Sequence, residues 1–413
     1  MLNLPKVIVT PKGERKARGG HPWVFEGEVV RIRAFDSEDP AVPADGSLVH
    51  VYTEKDRFLG TGFYNGKSKI RVRLISENAN DRFDAEFWRR RVRYALDYRK
   101  TVMGDDFSAC RLIHGEADRF PGLTVDLFGD TLSVECLSLG TSLVLDTVLS
   151  ALAEFLPDYG ARIGTVCLRN EGDLRLKEGM EREKGFWNGM AEHPDGRCGI
   201  VENGIRYEVD CLEGQKTGFF LDQKYNRLAA AKIASGRRVL DCFTHTGAFA
   251  LNCLLNGGAE HVTAVDISAS AVEQTRRNAA LNGVSEDRMD VLTADVFDLL
   301  TAMVNEKRSD YDMIILDPPA FTKSSATVKD AYRGYKDINY RAMRALPRGG
   351  YLATASCSHF MTRPLFEKML DEAASDAGVS LRQIEARAAA PDHPFLRTVP
   401  ETDYLKFYLF QVV

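Results

Sequence analysis

The sequence lacks the cysteine pairs and cysteine–histidine clusters that hold structural metals. Its eight cysteines are scattered along 413 residues, with no CxxC pair and no Cys/His group at zinc spacing. We therefore expect no metal site and reduced cysteines, most of them packed in the core.

Long apolar runs are also missing. No stretch approaches the roughly 20 residues that a membrane-spanning helix needs, and the N-terminus lacks the apolar segment of a signal peptide. We expect a cytoplasmic protein with no membrane partner. A chain of 413 residues is longer than a single domain with one hydrophobic core usually is, so two or three domains are expected.

The whole chain has no excess of basic charge. Its 54 Lys and Arg against 59 Asp and Glu give a formal net charge of −5, which argues against a nucleic-acid partner. The first 100 residues, however, carry 20 basic and 14 acidic side chains. This distribution favours a basic module that meets polyphosphate, although a solvated surface face explains it equally well.

Three patterns follow one another along the chain. Residues 1–75 read as short strands with turns, one of them spanning Trp23 to Ile32, which predicts a small β-barrel or sandwich. Residues 81–103 have helical periodicity and a basic face at Arg89, Arg90, Arg91 and Arg93. Residues 110–190 mix strands with one helix, as in a small α+β unit.

From about residue 200, strands and helices alternate, which predicts a doubly wound parallel sheet. The last two strands are separated by a proline-rich loop without a helix and predict a closing antiparallel hairpin. Seven strands ending in this way match a class I methyltransferase better than a dehydrogenase. The predicted strands are 237–243, 261–267, 289–295, 312–317, 349–357, 381–390 and 405–410.

The first of these strands leads into a candidate cofactor loop, Asp241 to Phe249. It is not GxGxxG, because Gly247 is its only glycine, and Asp241 would repel a phosphate. A cationic ligand such as S-adenosylmethionine suits the loop better. Asp266 ends the second strand, where a carboxylate accepts ribose hydroxyls. Asp295 ends the third, where adenine would lie. Each Asp also has a simpler interpretation as a helix cap.

The segment Glu213 to Arg227 (EGQKTGFFLDQKYNR) joins two glycines and two phenylalanines with many polar groups. It is predicted to fold over the cofactor, with Phe219 or Phe220 near the adenine. An interdomain loop with a hydrophobic anchor is the alternative.

Two strand ends predict the reacting groups. Asp317-Pro318-Pro319 resembles the (D/N/S)PP(Y/F/W) motif of enzymes that methylate planar rings, with the aromatic residue at Phe321. Cys357 ends the next strand, near the N-terminus of the helix that follows Thr362-Arg363-Pro364, a position that depresses the pKa of a thiol. A thiolate there would add to carbon 6 of a pyrimidine and activate carbon 5. A buried strand cysteine is the alternative interpretation. Cys242 is a competing thiol, and His359 and Lys323 are nearby polar residues without an assigned role.

These motifs resemble those of the family of bacterial 23S ribosomal RNA large subunit methyltransferase I, whose members make 5-methylcytosine. The resemblance covers nearly the full length and rests on HPWVFEGEV, HGEADRFPGLTVDLFGD, EGQKTGFFLDQKYNR, LDCFTHTGAFAL, LDPPAF and SCSHFMT. It implies a PUA-like RNA-binding domain (1–78), a linker helix with a central α+β domain (79–195) and a Rossmann-like class I methyltransferase domain (196–413).

The resemblance also implies the site. Cys357 would be the nucleophile and Asp317 would hydrogen-bond the base, while the fourth strand lacks the Pro-Cys cysteine of other RNA cytosine-5 enzymes. Ala320 stands where some relatives have Lys, a difference that concerns substrate contacts. The residues expected to bind S-adenosylmethionine are Phe220, Asp222, Asp241, Phe243, Thr246, Gly247, Asp266, Asn282, Asp295 and Asp317.

The implied partner is ribosomal RNA, held by the PUA-like domain and the arginines at 89–93, with a homodimer as one option for assembly. Two other functions compete. One is a sister ribosomal RNA methyltransferase that acts on a guanine ring nitrogen. The other is an RNA-binding assembly factor that has lost catalysis.

Overall fold

A computed structural model describes residues 2–322 and 324–413. The chain divides into two compact units. The first comprises Met1–Cys198, Val209–Phe219 and Pro391–Pro400, and the second comprises Gly199–Glu208, Phe220–Ala390 and Glu401–Val413.

The first unit begins with a six-stranded sheet in the order β2-β6-β5-β4-β1-β3. Its core is formed by alternating apolar side chains such as Val7, Val51 and Val72, each fully buried. The elements are β1 (Lys6–Val9), α1 (Pro11–Arg18), β2 (Trp23–Phe25), β3 (Val29–Arg33), β4 (Leu48–Thr53), β5 (Phe58–Tyr64) and β6 (Ile70–Ser76).

The prediction of one strand from Trp23 to Ile32 is wrong. A 3₁₀ turn at Glu26–Glu28 separates β2 from β3. The Glu28 side chain, only 3% exposed, turns back and accepts a hydrogen bond from Phe25 N at 3.0 Å. This local bond competes with strand pairing and ends the ladder.

The rest of the first unit holds a five-stranded sheet in the order β11-β10-β9-β8-β7. The predicted helix at 81–103 begins at Ala85, because Asp84 caps it by accepting from Phe87 N at 3.0 Å. The elements are α2 (Ala85–Met103), β7 (Ala109–His114), β8 (Leu123–Phe128), β9 (Thr131–Cys136), α3 (Leu139–Ser142), α4 (Leu145–Phe155), β10 (Thr165–Asn170), α5 (Asp173–Lys177) and β11 (Glu183–Ala191).

The second unit contains the alternating strands and helices. A two-stranded hairpin, β12 (Arg197–Glu202) and β13 (Ile205–Asp210), spans the division of the chain. The following elements are α6 (Lys224–Ala231), β14 (Arg238–Cys242), α7 (Ala248–Leu251), β15 (His261–Asp266), α8 (Ala269–Leu281), β16 (Met289–Thr293), α9 (Val296–Asn305), β17 (Met313–Leu316), α10 (Val328–Ala345), β18 (Tyr351–Ser356), α11 (Arg363–Ala377), β19 (Leu381–Arg387) and β20 (Lys406–Val412).

The seven-stranded sheet has the order β16-β15-β14-β17-β18-β20-β19. β14 to β18 pair in parallel, whereas β20 runs antiparallel between β18 and β19. All seven predicted strands and the antiparallel final pair are confirmed, each strand end within three residues. The parallel strands share one carboxyl edge, which is where α/β sheets bind ligands.

Candidate active site

The loop after β14 has a strained backbone. Phe243 and His245 take positive φ values of 61° and 54°, a region that bulky side chains rarely adopt. Thr244 holds the loop between them, since its N donates to Val265 O at 3.0 Å and its Oγ1 donates to Asp241 Oδ2 at 2.6 Å. Strain of this kind persists where the surroundings enforce it, often at ligand sites.

Gly247 ends this loop at φ 78° and precedes α7. A Cβ at this position would lie 2.7 Å from Thr275 Cγ2 of α8, so only glycine fits. α8 also fixes the loop through side chains: Thr275 Oγ1 donates to His245 O at 3.0 Å, and Asn278 Nδ2 donates to Thr246 O at 2.9 Å. The loop is therefore a rigid, close-packed surface.

Asp241 is buried at the end of β14 and is only 1% exposed. Its Oδ2 accepts from Thr244 Oγ1 and from Ala250 N at 3.0 Å, while no described residue bonds Oδ1. Burial raises the pKa of Asp241 to about 7, with smaller contributions from the charges of Asp317 and Asp266. A buried carboxylate oxygen without a hydrogen-bond partner is suited to bind a positively charged donor, which would stabilise its ionised form.

Asp266 stands at the carboxyl end of β15. Its Oδ2 accepts from His245 N at 3.0 Å, and its Oδ1 accepts from Ser268 N at 2.9 Å. The carboxylate thus joins the strained loop to the start of α8, and it lies at the same sheet edge as Asp241.

Two other predicted cofactor residues have clear roles within the fold. Asp295 caps α9, with Oδ1 accepting from Phe297 N at 2.7 Å. Its geometry is therefore that of a helix cap, the alternative given for this residue above. Asn282 is not brought to the loop. It follows the far end of α8, where its amide exchanges two hydrogen bonds with the backbone of Arg206.

Phe220 and Asp222 lie within the segment Glu213 to Arg227, which was predicted to fold over the cofactor. Phe220 packs edge-on against His245 with ring centroids 4.9 Å apart, which places it beside the strained loop. Asp222 is 3% exposed and accepts from Tyr404 OH at 2.7 Å. Asp222 therefore anchors a buried 3₁₀ turn, Leu221–Gln223.

Gln223 is a site residue that sequence reasoning missed. Its Nε2 donates to Asp317 Oδ1 at 2.9 Å, and its Oε1 accepts from Asn226 Nδ2 at 2.6 Å. Asn226 in turn accepts from Arg387 Nε at 2.9 Å. This chain of bonds holds the Asp317 carboxylate, and it explains the polar density of the motif. The high density of polar residues in this segment was visible in the sequence, but the carboxylate that these residues hold was not.

The loops that carry Asp317 and Cys357 are joined. Asp317 directly follows β17 and Cys357 directly follows β18. Ser358 Oγ, which is buried, donates to Thr322 O at 3.1 Å across the two loops. Tyr335 of α10 is fully buried and packs against Phe321 of the Asp317 loop, with ring centroids 4.5 Å apart. Burial raises its pKa, with smaller contributions from the charges of Cys357 and Asp317. The two predicted reacting groups thus share one edge of the sheet.

The competing thiols are buried. Cys242 is 0% exposed, and burial raises the pKa of its thiol well above the usual value. The remaining six cysteines other than Cys357 are 0–5% exposed. Cys357 is half-buried and is the most exposed of the eight cysteines. The geometry therefore separates Cys357 from every other thiol in the chain.

The nearby polar candidates differ. Burial lowers the pKa of His359, and its ring packs at a tilt of 38° against Phe360, with ring centroids 3.8 Å apart. Lys323 lies outside the described residues.

In the described part of the chain, no three His, Cys, Asp or Glu side chains are arranged to hold a metal. Across residues 2–322 and 324–413, no helix combines the length and apolarity needed to span a membrane.

Comparisons with known proteins define the class first. A family model described as S-adenosylmethionine-dependent methyltransferase matches residues 181–411, and one described as PUA-like domain matches residues 7–77. A solved SAM-dependent methyltransferase from Streptococcus mutans has the same fold, with a TM-score of 0.81 at 23% identity over 98% of this chain and all of that one. The C-terminal sheet is therefore that of a class I S-adenosylmethionine-dependent methyltransferase, and the cofactor is S-adenosylmethionine.

Curated relatives then narrow the class. Ribosomal RNA large subunit methyltransferase I of Alteromonas mediterranea is 37% identical over 98% of both chains. The protein of the same name from Aeromonas salmonicida is 38% identical over 94% of both. The chain belongs to the ribosomal RNA large subunit methyltransferase I family. The predicted arrangement of a PUA-like domain before a methyltransferase domain is confirmed, whereas the boundaries at residues 78 and 195 stay predictions.

Proposed function

We propose that this protein methylates carbon 5 of a cytosine in large-subunit (23S) ribosomal RNA through a covalent adduct on Cys357. The observation that carries the proposal is the hydrogen bond from Ser358 to Thr322, which holds the Cys357 loop against the Asp317 loop. A thiol and a carboxylate at one sheet edge suit covalent activation of a flat ring better than direct transfer to nitrogen. The names of the relatives support ribosomal RNA as the substrate.

The cofactor is assigned to the loop after β14. The partnerless Oδ1 of Asp241 would accept from its ammonium group, Asp266 from its ribose and the outer oxygen of Asp295 from its adenine amino group. Phe220, Phe243, Thr246 and Gly247 would form the surrounding surface. When bound, S-adenosylmethionine supplies an electrophilic methyl group on sulfur. Asp222 and Asn282 act through the fold, by anchoring the 3₁₀ turn and the end of α8.

Cys357 acts on the base. Its thiolate adds to carbon 6, so that a sulfur–carbon bond forms and the C5=C6 electron pair moves to carbon 5. Asp317, held by Gln223, hydrogen-bonds the base near N3 and keeps the ring in place. Carbon 5 then takes the methyl group, while the electron pair of the broken sulfur–methyl bond stays on sulfur and leaves a neutral thioether. A base removes the C5 proton, the C5=C6 double bond returns and the thiolate leaves. The cytosine must be single-stranded or flipped out of its helix.

The proposal is tested by measuring methyl transfer to RNA in a variant without the Cys357 thiol. Cys357→Ala should lose methylation by at least ~10³-fold, because the added thiolate is what activates carbon 5. Binding of S-adenosylmethionine, measured by calorimetry, should persist. The matched control is Cys198→Ala, which removes a thiol that is only 5% exposed and should keep activity.

Mass spectrometry of nucleosides carrying a labelled methyl group decides between the proposals. 5-Methylcytosine supports this one, and a methylated guanine ring nitrogen would support the sister activity. Normal turnover by Cys357→Ala would refute the covalent route. An inactive assembly factor would transfer no label at all. The homodimer and the cytoplasmic location stay predictions, testable by sedimentation and by cell fractionation.

A further inference from the structure

Lys406 is a buried lysine at the beginning of β20. It is 1% exposed, and its register partner on β18 is Ser356, the residue before Cys357. Lysine is almost never fully buried without a compensating partner, because an ammonium group loses its hydration. Its position beside the Cys357 loop therefore calls for a reason.

The ammonium group of Lys406 is directed at this loop. Nζ donates to Ser358 O at 2.5 Å and to Tyr404 O at 2.7 Å. Both acceptors are neutral carbonyls. In the part of the chain that the structure describes, no carboxylate lies within ion-pair distance of Nζ. The positive charge thus lies against the loop that carries Cys357, one residue from it in sequence at Ser358.

The charges around this group are few. Burial lowers the pKa of Lys406 to about 8, and negative charge on Cys357, then on Asp403, opposes that decrease. Arg363 of α11 is the other nearby cation; it lies 3.8 Å from Asp403, and its charge contributes to lowering the pKa of Lys406. The positive charge of Lys406 also contributes, after burial, to lowering the pKa of His359. Tyr335 of α10 and Asp317 face the loop from the other side and carry no positive charge.

We propose that Lys406 is a positioning residue that stabilises Cys357 as a thiolate. A thiolate beside an ammonium group in a dry environment gains more than it would in water, because the two charges are poorly screened. The part of this inference that concerns methylation rests on the proposed function, since it assumes that Cys357 is the nucleophile. The pairing of Lys406 with Cys357 does not.

The experiment measures thiol reactivity in the full-length protein without RNA. The rate of alkylation by iodoacetamide is followed from pH 5.5 to 9.5, and mass spectrometry assigns the label to Cys357. The other seven cysteines are 0–5% exposed and serve as an internal silent background. The pH midpoint of the rate reports the ionisation of Cys357 coupled to that of Lys406, whose own pKa of about 8 lies within this pH range.

Lys406→Gln removes the charge but keeps a donor for the two carbonyls. Its midpoint should move up by at least about one pH unit, which lowers the alkylation rate at pH 7 about tenfold. Lys406→Arg keeps the charge and should restore most of the reactivity. Arg363→Gln, which removes a cation already paired with Asp403, should move the midpoint less. Lys406→Met replaces the Gln variant if that protein does not fold, as judged by its melting temperature.

A midpoint that stays at its wild-type value in the neutral Lys406 variant that folds, Lys406→Gln or Lys406→Met, would overturn the proposal, because a merely structural lysine affects melting but not ionisation. The proposed function fails in a different way, namely by methylation in Cys357→Ala. The two results come from separate assays, so one idea can be rejected while the other stands.

Discussion

Asp241 is a residue whose surroundings make its charge depend on pH near neutrality. Burial raises its pKa from 3.8 to about 7, whereas its unfolded pKa stays near 3.8. Between these values the folded protein holds a proton that the unfolded chain has lost. Its contribution to stability is complete below about pH 4 and is lost as the pH rises through 7.

This linkage predicts how the cofactor binds. If Asp241 pairs with the ammonium group, S-adenosylmethionine should bind more tightly as the pH rises from 5.5 to 7, approaching tenfold per unit at the acid end. Binding at pH 6 should release close to one proton, measurable by calorimetry in buffers of different ionisation enthalpy. Asp241→Asn should bind weakly with little pH dependence.

The control for that measurement is Asp266→Asn. Its carboxylate holds His245 N and Ser268 N at the same sheet edge. The variant should weaken binding but keep the pH dependence. Equal pH profiles for wild type and Asp241→Asn would contradict the pairing with the ammonium group.

At the scale of elements, the buried pair of Arg227 on α6 and Glu202 on β12 connects two segments of the second unit. Arg227 Nη1 donates to Glu202 Oε1 at 2.5 Å and its Nη2 donates to Phe220 O at 2.7 Å. The two side chains are 3% and 0% exposed. Arg227 therefore fixes the backbone of the residue that packs against the strained loop.

Removing one partner of this pair should be costly. Glu202→Leu leaves a buried guanidinium uncompensated and should destabilise the second unit by about 3–5 kcal/mol. Replacing both, as Glu202→Leu with Arg227→Met, should recover part of that stability while cofactor binding stays weak, since Phe220 O loses its donor. Thermal unfolding and calorimetry measure the two effects. A double variant as unstable as the single one would argue against a specific ion pair.

Local patterns predicted most elements but not their long-range partners. Strand–helix alternation identified all seven strands of the large sheet, because each is a short apolar run. The helix Pro11–Arg18 was not predicted, since its sequence PKGERKAR has almost no apolar periodicity. The strands at 165–170 and 183–191 were also missed, the second being interrupted by two glycines.

The candidate site was predictable to the same extent. Asp241, Asp266, Asp317 and Cys357 follow apolar strands, so the common edge of a parallel sheet brings them together. Lys406 was not predictable, because it reaches the Cys357 loop, at Ser358, only through the insertion of β20 between β18 and β19. That register places residue 406 opposite residue 356, and no local signal in the sequence encodes it.

At the scale of the whole molecule, the basic first quarter of the chain is not uniformly available to RNA. Three of the four arginines at 89–93 are engaged within their own unit, namely Arg89, Arg91 and Arg93. Arg89 forms a bidentate pair with Glu154, with one bond at 2.6 Å, and Arg91 Nη2 donates to Ile75 O at 2.6 Å. Arg93 lies over the ring of Phe155 at 4.5 Å.

Helix α1 is a better candidate for contact with the RNA backbone. It carries Lys12, Arg15, Lys16 and Arg18 within eight residues and only one acidic residue. The Lys12 side chain is 74% exposed, and its Nζ is as far as 3.8 Å from its nearest carboxylate, that of Glu28. Exposed, weakly paired cations are the groups that release counterions when they meet phosphates.

We therefore expect the double variant Lys12→Glu with Arg15→Glu to weaken RNA binding about equally for all sequences and to reduce the salt dependence by roughly two phosphate contacts. Affinity for a large-subunit RNA fragment would be measured at several salt concentrations. Binding of S-adenosylmethionine should not change. Lys368→Glu, an exposed reversal on α11, is the matched control and should leave the salt slope intact. An unchanged slope in the α1 variant would mean that another surface of the protein holds the RNA.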